Sequence, residues 1–244
     1  MDTRLLENIK NLYRRISSAA IRSGRSPFDV KLVAVTKTVI SERIMEAIDL
    51  GLRIFGENRV QEAKEKISNL KSQINPLPPT FNKGGWGGFE LEWHLIGYLQ
   101  KNKAKTAVQL FDMIQTIDSA DIAELINKYA EREGKTQRVL IQVKLSEEET
   151  KHGISKEKLM DLIKAVSNME NLKLEGLMTM PQFFDDPEKA RPYFIELREL
   201  RDKAERLGYK LPELSMGMTN DFEVAILEGA TMVRIGRAIF GARR

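Results

Sequence analysis

The sequence contains no cysteine among its 244 residues, and this absence excludes disulfides and thiolate chemistry. Basic runs are also missing: 39 basic and 35 acidic residues are spread along the chain, and the net charge of +4 indicates neither a nucleic-acid nor a membrane surface. No apolar run approaches transmembrane length, and the N-terminus lacks the apolar core of a signal peptide. We therefore expect a cytoplasmic protein.

What the sequence does contain is a regular alternation of short apolar strands and amphipathic helices. Strands are predicted at 31–37, 53–58, 92–97, 112–117, 137–143, 172–178, 213–216 and 232–235. Helices are predicted at 3–23, 41–51, 59–72, 101–110, 119–132, 155–169, 186–207 and 221–228. Residues 73–90 are rich in proline and glycine and predict an exposed loop.

This alternation predicts an α/β fold with a parallel sheet. Eight strand–helix units in about 250 residues are the usual size of a (β/α)₈ barrel, here with an extra helix at the N-terminus. An open, doubly wound sheet is the alternative, but no Gly-x-Gly-x-x-Gly follows the first strand. Nothing remains after the eighth strand for a second domain, so we expect a single domain over 1–244.

The first strand ends on a lysine. Residues 32–36 are all apolar or β-branched, which is typical of a strand buried on both faces. Side chains alternate along a strand, so Lys37 would share a face with Val33 and Val35. Burial would lower the pKa of Lys37 and make it a nucleophile for aldehydes. The alternative is a lysine that has left the strand for water.

Two loops near the end of the chain predict a phosphate site. (β/α)₈ barrels often bind phosphate with the loops after strands seven and eight. The first loop here offers the hydroxyls of Ser215 and Thr219 with Gly217, before a helix that Asn220 can cap. Gly236 in the second loop lets the backbone approach a ligand closely. Both glycines could instead be turn residues.

Other polar groups are predicted inside the barrel. Arg234 lies mid-strand and needs a partner, which is either a core carboxylate such as Glu175 or an acceptor atom of a ligand. Asn58, at the end of strand two, points to the same mouth or caps the next helix. His94 is more typical of a hydrogen-bonded core histidine than of a catalyst.

Ordered motifs along nearly the whole chain resemble the pyridoxal phosphate homeostasis protein family, which is similar to the barrel domain of bacterial alanine racemase. The motifs are Val35-Thr-Lys37, Phe55-Gly-Glu-Asn58, Trp93-His-Leu-Ile-Gly97, Leu99-Gln-x-Asn102-Lys103, Gly176-Leu-Met178, Ser215-Met-Gly-Met218, Val233-Arg-Ile-Gly236 and Ile239-Phe-Gly241.

The resemblance implies pyridoxal 5′-phosphate (PLP) bound covalently to Lys37. It implies phosphate contacts from Ser215, Thr219, Gly236 and the backbone of Arg237, with Arg234 at the pyridine nitrogen. The implied cofactor-binding set is Lys37, Asn58, Met178, Ser215, Gly217, Thr219, Arg234, Gly236 and Arg237. Thr219 stands where the family commonly has serine, which keeps the hydroxyl, and the loop at 73–90 is longer than expected.

The resemblance also implies a role in supplying or buffering PLP, with no metal and no established catalytic activity. PLP-dependent apoenzymes are the implied recipients, and the protein is expected to be a monomer or a weak homodimer. One alternative is a PLP-dependent racemase or decarboxylase, and another is a cofactor-free Schiff-base aldolase. The sequence ends at Arg244, just after the last strand, so we expect no second domain to supply the other racemase base and no efficient turnover.

Overall fold

A closed barrel of parallel strands forms the centre of the computed structural model, which describes residues 3–73, 91–146 and 152–241. The predicted loop at 73–90 therefore lies, apart from residue 73, outside the described residues. The barrel strands are β1 (Lys31–Val35), β2 (Ile54–Glu57), β3 (Glu92–Leu95), β4 (Met113–Ile117), β5 (Gln137–Lys144), β7 (Leu172–Met178), β8 (Glu213–Ser215) and β9 (Met232–Ile235). These strands pair in sequence order, and β9 closes the barrel on β1.

The predicted fold class is confirmed: the chain is a (β/α)₈ barrel with an additional helix at its N-terminus. The helices are α1 (Thr3–Arg22), α2 (Ser41–Asp49), α3 (Val60–Gln73), α4 (Ala104–Leu110), α5 (Ala120–Arg132), α6 (Leu159–Ser167), α7 (Arg191–Arg206), α8 (Phe222–Leu227) and α9 (Arg237–Phe240). In the described part of the chain, no helix is long and apolar enough to cross a membrane.

The additional helix α1 packs against α8 and α9, beside the closing strand pair. One face of α1 is apolar and buried, with Leu5, Ile9, Leu12 and Ile16 at helical spacing. Polar contacts add to this packing, because Asn8 Nδ2 donates to the Ile239 carbonyl at 2.9 Å. The two ends of the chain are thereby joined beneath the site that β1 and β9 carry.

Several local predictions were wrong. A two-residue strand, β6 (Ile154–Ser155), pairs with the end of β5 in place of the predicted helix start, and α6 begins only at Leu159. Ser41 begins α2 but does not cap it, since the N-cap is Ile40. Asn220 does not cap α8 either: the N-cap is Asp221, and Asn220 Nδ2 donates to the Phe184 carbonyl.

The apolar residues form two layers of unequal size. The large layer lies between the barrel and its helices, and a small cluster fills the barrel lumen. The buried lumen cluster consists of Val33, Met113, Leu140, Met178 and Met232. Because only this small cluster fills the lumen, polar side chains occupy the remaining interior positions of the same strands.

Candidate functional site

Lys37 lies two residues beyond the end of β1, in a cleft of about 270 Å³ at the carboxyl ends of the strands. Gly236 and Arg237 line the same cleft. The parallel pairing of β9 with β1 brings these residues together although about 200 residues separate them in the chain. Lys37 has thus left the strand, yet it is half-buried in a pocket rather than fully in water.

Gly236 is required for the close approach of β9 to β1. A Cβ atom at Gly236 would lie 3.0 Å from the Val35 carbonyl oxygen and 3.3 Å from the Val35 Cβ. A larger residue would push the two strands apart immediately below Lys37. The glycine therefore keeps the backbone of the β9–α9 connection, which includes exposed Arg237, close to the lysine.

Arg234 is a buried cation in the lumen, with 3% of the residue exposed. Its Nη1 donates to Ser215 Oγ at 2.6 Å and its Nη2 donates to the Thr179 carbonyl at 2.8 Å. Burial lowers the pKa of Arg234 to about 10, a shift that the Asp221 carboxylate opposes, so the side chain stays charged at neutral pH. The alternative carboxylate partner, Glu175, instead pairs with Arg138 at 3.0 Å.

A chain of buried hydrogen bonds continues from Arg234 through the lumen. Ser215 Oγ donates to Gln115 Oε1 at 2.6 Å, and Gln115 Nε2 donates to His94 Nδ1 at 2.9 Å. The other ring nitrogen of His94 therefore carries the proton and donates to Glu92 Oε2 at 3.2 Å. We call Arg234, Ser215, Gln115, His94 and Glu92 the lumen chain.

His94 is a hydrogen-bonded core histidine, as expected. It is fully buried, and this burial lowers its pKa, although the hydrogen bond to Glu92 opposes the shift. The hydrogen bond from His94, together with Arg138, in turn lowers the pKa of Glu92 to about 2. A neutral ring between two committed partners positions its neighbours and has no proton to spare at neutral pH.

The lumen chain bears on the predicted phosphate contact of Ser215. The hydroxyl is fully buried and already bonded to Arg234 and Gln115. This geometry favours Ser215 as a support for Arg234, and its contact with phosphate stays a prediction. Thr219, half-buried in the loop that follows β8, is the better placed of the two hydroxyls.

The other predicted residues surround this centre. Gly217 has a φ of +92°, and a Cβ there would lie 2.9 Å from Phe222 Cα, so the loop after β8 lies tightly on α8. The Gly217 carbonyl accepts the Arg234 backbone N–H at 3.0 Å. Met178 is fully buried in the lumen cluster. The loop backbone is therefore fixed directly above the buried cation.

Asn58 follows β2 and lines a neighbouring cleft of about 430 Å³ with Gly97, Tyr98 and Lys103. Its Oδ1 is buried and has no hydrogen-bond partner among the residues that the structure describes. An unpaired buried acceptor is costly, at roughly 1–3 kcal/mol, unless a ligand or water supplies a donor. Asn58 thus fits a ligand-binding residue at this mouth, in the cleft next to that of Lys37.

Sequence reasoning missed Gln115 and Thr179, which support this arrangement. Gln115 sits mid-strand among apolar neighbours in Met113–Ile117, the same signal that singled out Arg234. Thr179 contributes its backbone carbonyl, which no sequence pattern reveals. The lysine, the buried cation and the glycine-lined loops together suit a phosphorylated aldehyde, because each part of such a ligand meets a matching group.

Comparison with known proteins assigns the chain to a family. The model of the alanine racemase N-terminal domain family matches residues 6–244. The pyridoxal phosphate homeostasis protein of Aquifex aeolicus is 42% identical over 239 residues, covering 98% of both chains. The solved structure of PipY from Synechococcus elongatus, with PLP bound, has a TM-score of 0.78 and 33% identity and covers 94% of this chain and 99% of PipY.

Alanine racemase of Clostridium difficile shares the fold, with a TM-score of 0.67 at 16% identity, over 97% of this chain and 56% of the racemase. That likeness extends to the barrel architecture alone. The likeness to the homeostasis proteins, in contrast, combines close sequence identity with nearly complete coverage of both partners. The chain therefore belongs to the pyridoxal phosphate homeostasis protein family, within the wider family of alanine racemase N-terminal domains.

Proposed function

We propose that this protein binds PLP at the carboxyl mouth of the barrel, holds it as a Schiff base on Lys37, and acts in PLP homeostasis. The observation that carries the proposal is the single cleft that joins Lys37 to Gly236 and Arg237, close to the buried Arg234. PipY, which is 33% identical, was solved with PLP bound.

The residues of this chain divide among the parts of the cofactor. The loop with Gly217 and Thr219 and the backbone at Gly236 and Arg237 would hold the phosphate. Arg234 would face the pyridine nitrogen, with Asn58 and Met178 beside the ring. When bound, PLP supplies an aldehyde that reacts with amines and a ring that can withdraw electrons.

We further propose that the bound cofactor is stored rather than used for catalysis. Electron withdrawal by the ring works best when its nitrogen is protonated, which a carboxylate partner favours. Arg234 is a cation at neutral pH and can only donate hydrogen bonds, so it would keep that nitrogen unprotonated. The ring would then stabilise a substrate carbanion poorly, which supports a carrier over a racemase or decarboxylase.

The covalent link is tested by a visible absorption spectrum of the PLP-saturated protein before and after borohydride reduction, with the labelled peptide mapped. We expect a Schiff-base absorption band that reduction removes, and a label on Lys37. A label on Lys103, which lines the neighbouring cleft, would refute the assignment. A colourless protein that still binds a phosphorylated sugar would favour the cofactor-free aldolase.

The carrier role is tested by two further measurements. A panel of racemase, transaminase and decarboxylase substrates should give turnover far below the ordinary range of about 1–10³ s⁻¹. PLP-dependent apoenzymes are the proposed recipients, so the loaded protein should reactivate an apoenzyme even when a trap removes free PLP. Turnover in the ordinary range would replace the carrier by an enzyme.

A further inference from the structure

A buried charged cluster lies behind the peptide that carries Lys37. Lys66, on α3, donates from Nζ to the Thr36 carbonyl at 2.6 Å, to Glu57 Oε1 at 2.8 Å and to Glu62 Oε1 at 2.6 Å. These three acceptors match the three N–H groups of an ammonium. We call Thr36, Glu57, Glu62 and Lys66 the Lys66 cluster.

The same cluster reaches the peptide on the other side of Lys37. Glu62 Oε1 accepts the Thr38 backbone N–H at 2.6 Å. Thr38 has a φ of +63°, a left-handed conformation that non-glycine residues rarely adopt and that costs of order 1–3 kcal/mol. Surrounding contacts must offset that cost, and the bond to Glu62 is one of them.

Lys37 is thereby fixed from both sides along the backbone. Lys66 holds the carbonyl that precedes Lys37, and Glu62 holds the N–H that follows it. Since Lys66 and Glu62 also bond to each other, the two restraints form one unit. The side chain of Thr36 adds a third connection, because its Oγ1 donates to Glu57 Oε1 at 2.7 Å.

The cluster is largely shielded from water. Thr36 and Glu57 are fully buried, and the side chains of Lys66 and Glu62 are only 11% and 26% exposed. Burial raises the pKa of Glu57, and hydrogen bonds from Lys66 and Thr36 only partly offset it. Replacing a buried ion pair by apolar residues is often neutral or stabilising, so stability alone does not account for this one.

We propose that the Lys66 cluster is a positioning device for Lys37, with Lys66 and Glu62 as its positioning residues. The inference rests on the proposed role of Lys37 as the amine that bonds PLP. A reacting group displaced by about 1 Å can lose roughly 10²-fold in reactivity, so a fixed backbone on both sides raises the fraction of Lys37 that is correctly aimed. The cluster touches neither the ring nor the phosphate in this assignment.

The test separates covalent from non-covalent binding. Lys66→Met and Glu62→Ala remove the restraints, and Lys64→Met and Glu65→Ala remove matching charges from the exposed face of the same helix. Affinity is measured for PLP and for pyridoxine 5′-phosphate, which has the same ring and phosphate but no aldehyde. We expect the two cluster variants to weaken PLP by about 10- to 100-fold, to change pyridoxine 5′-phosphate little, and the two controls to change neither.

Equal weakening of both ligands would overturn the inference, because a merely structural role would affect both alike. If Lys66→Met fails to fold, Glu62→Gln keeps the acceptor oxygen without the charge and should weaken PLP less than Glu62→Ala does. In the cofactor-free protein, hydrogen exchange at the Thr38 amide should speed up in Glu62→Ala but not in Glu65→Ala; unchanged exchange would also overturn the inference.

Failure of the proposed function is distinguishable from failure of this inference. If the unaltered protein forms no reducible adduct on Lys37, the proposed function fails and the positioning role fails with it. If the adduct forms normally and the cluster variants lose both ligands equally, only the positioning role fails.

Discussion

The two ends of β1 show how one strand serves stability at one mouth of the barrel and binding at the other. Lys31, at the amino end, pairs with Glu213 at 2.5 Å, and Thr231 donates to the other oxygen of that carboxylate. Lys37, six positions on and on the same face, opens into a cleft. An ion pair between neighbouring strands closes the barrel at one lysine, whereas the other lies where a ligand can reach it.

The polar groups around the two mouths follow the same division. At the amino mouth Arg138 bridges Glu92 at 2.7 Å and Glu175 at 3.0 Å. At the carboxyl mouth Asn58 Oδ1 remains without a partner in the described part of the chain. Satisfied charges at one end and an unpaired acceptor at the other are the expected distribution when the carboxyl ends of the strands carry the site.

The largest effect is expected at Lys37. Lys37→Met removes the only amine assigned to the covalent link, so the borohydride-stable adduct should disappear, while the midpoint of urea unfolding should change little. Absorption spectra with reduction, and a urea titration, measure the two quantities. An undiminished adduct in the variant would show that another lysine reacts.

Next in size are the two hydroxyls assigned to phosphate. Thr219→Val should weaken PLP by about 10- to 100-fold, since a hydrogen bond to an anion contributes about 1.5–3 kcal/mol, and should affect pyridoxal little. Ser215→Ala should weaken PLP and pyridoxal by similar factors, because its hydroxyl supports Arg234. Titrations of both ligands measure this, and a selective loss of PLP in Ser215→Ala would restore Ser215 as a phosphate contact.

A smaller effect is expected at the amino mouth. Lys31→Met leaves Glu213 without its cation, but Lys31 is 40% exposed, so the free energy of unfolding should fall by only about 1 kcal/mol. PLP affinity should not change. Urea unfolding and PLP titration, compared with those of Lys37→Met, give the contrast directly; a loss of PLP affinity in Lys31→Met would end the division between the two mouths.

The smallest effect is a pH dependence of stability from His94. Because its pKa is lowered from 6.5 in the folded protein, the unfolded chain binds the proton more readily. Stability that is present above pH 6.5 is therefore lost as the pH falls, by at most about 1.4 kcal/mol per pH unit. His94→Gln should flatten the curve between pH 6.5 and 5 relative to the unaltered protein, with His152→Gln as the control for losing a histidine.

The barrel could be predicted from the sequence because parallel strands buried on both faces appear as short apolar runs. Leu172–Met178 and Met232–Ile235 have the predicted bounds. The strand Ile154–Ser155 could not be found, since two residues show no periodicity. Helix caps failed for a similar reason: whether Asn220 or Asp221 caps α8 depends on loop geometry that composition does not encode.

The site was predictable in outline but not in its hydrogen bonds. Lys37 and Gly236 stand out by type and by position at strand ends, and the structure places them in one cleft. The Lys66 cluster joins residues 36, 57, 62 and 66 across two strands and a helix, a contact that no spacing in the chain reveals. The hydroxyl of Ser215 was assigned to a ligand because sequence shows that a hydroxyl exists and not which way it points.

The lumen chain has a direction, and that direction makes the barrel interior an electrical connection between its two mouths. Every link donates away from Arg234 and towards Glu92, so the bond dipoles lie head to tail between a buried cation and a carboxylate. Aligned hydrogen bonds polarise one another in a low dielectric. A change of charge or ligand near Arg234 is therefore transmitted to the ring nitrogens of His94, whose ¹⁵N resonances become a remote gauge of what occupies the opposite mouth.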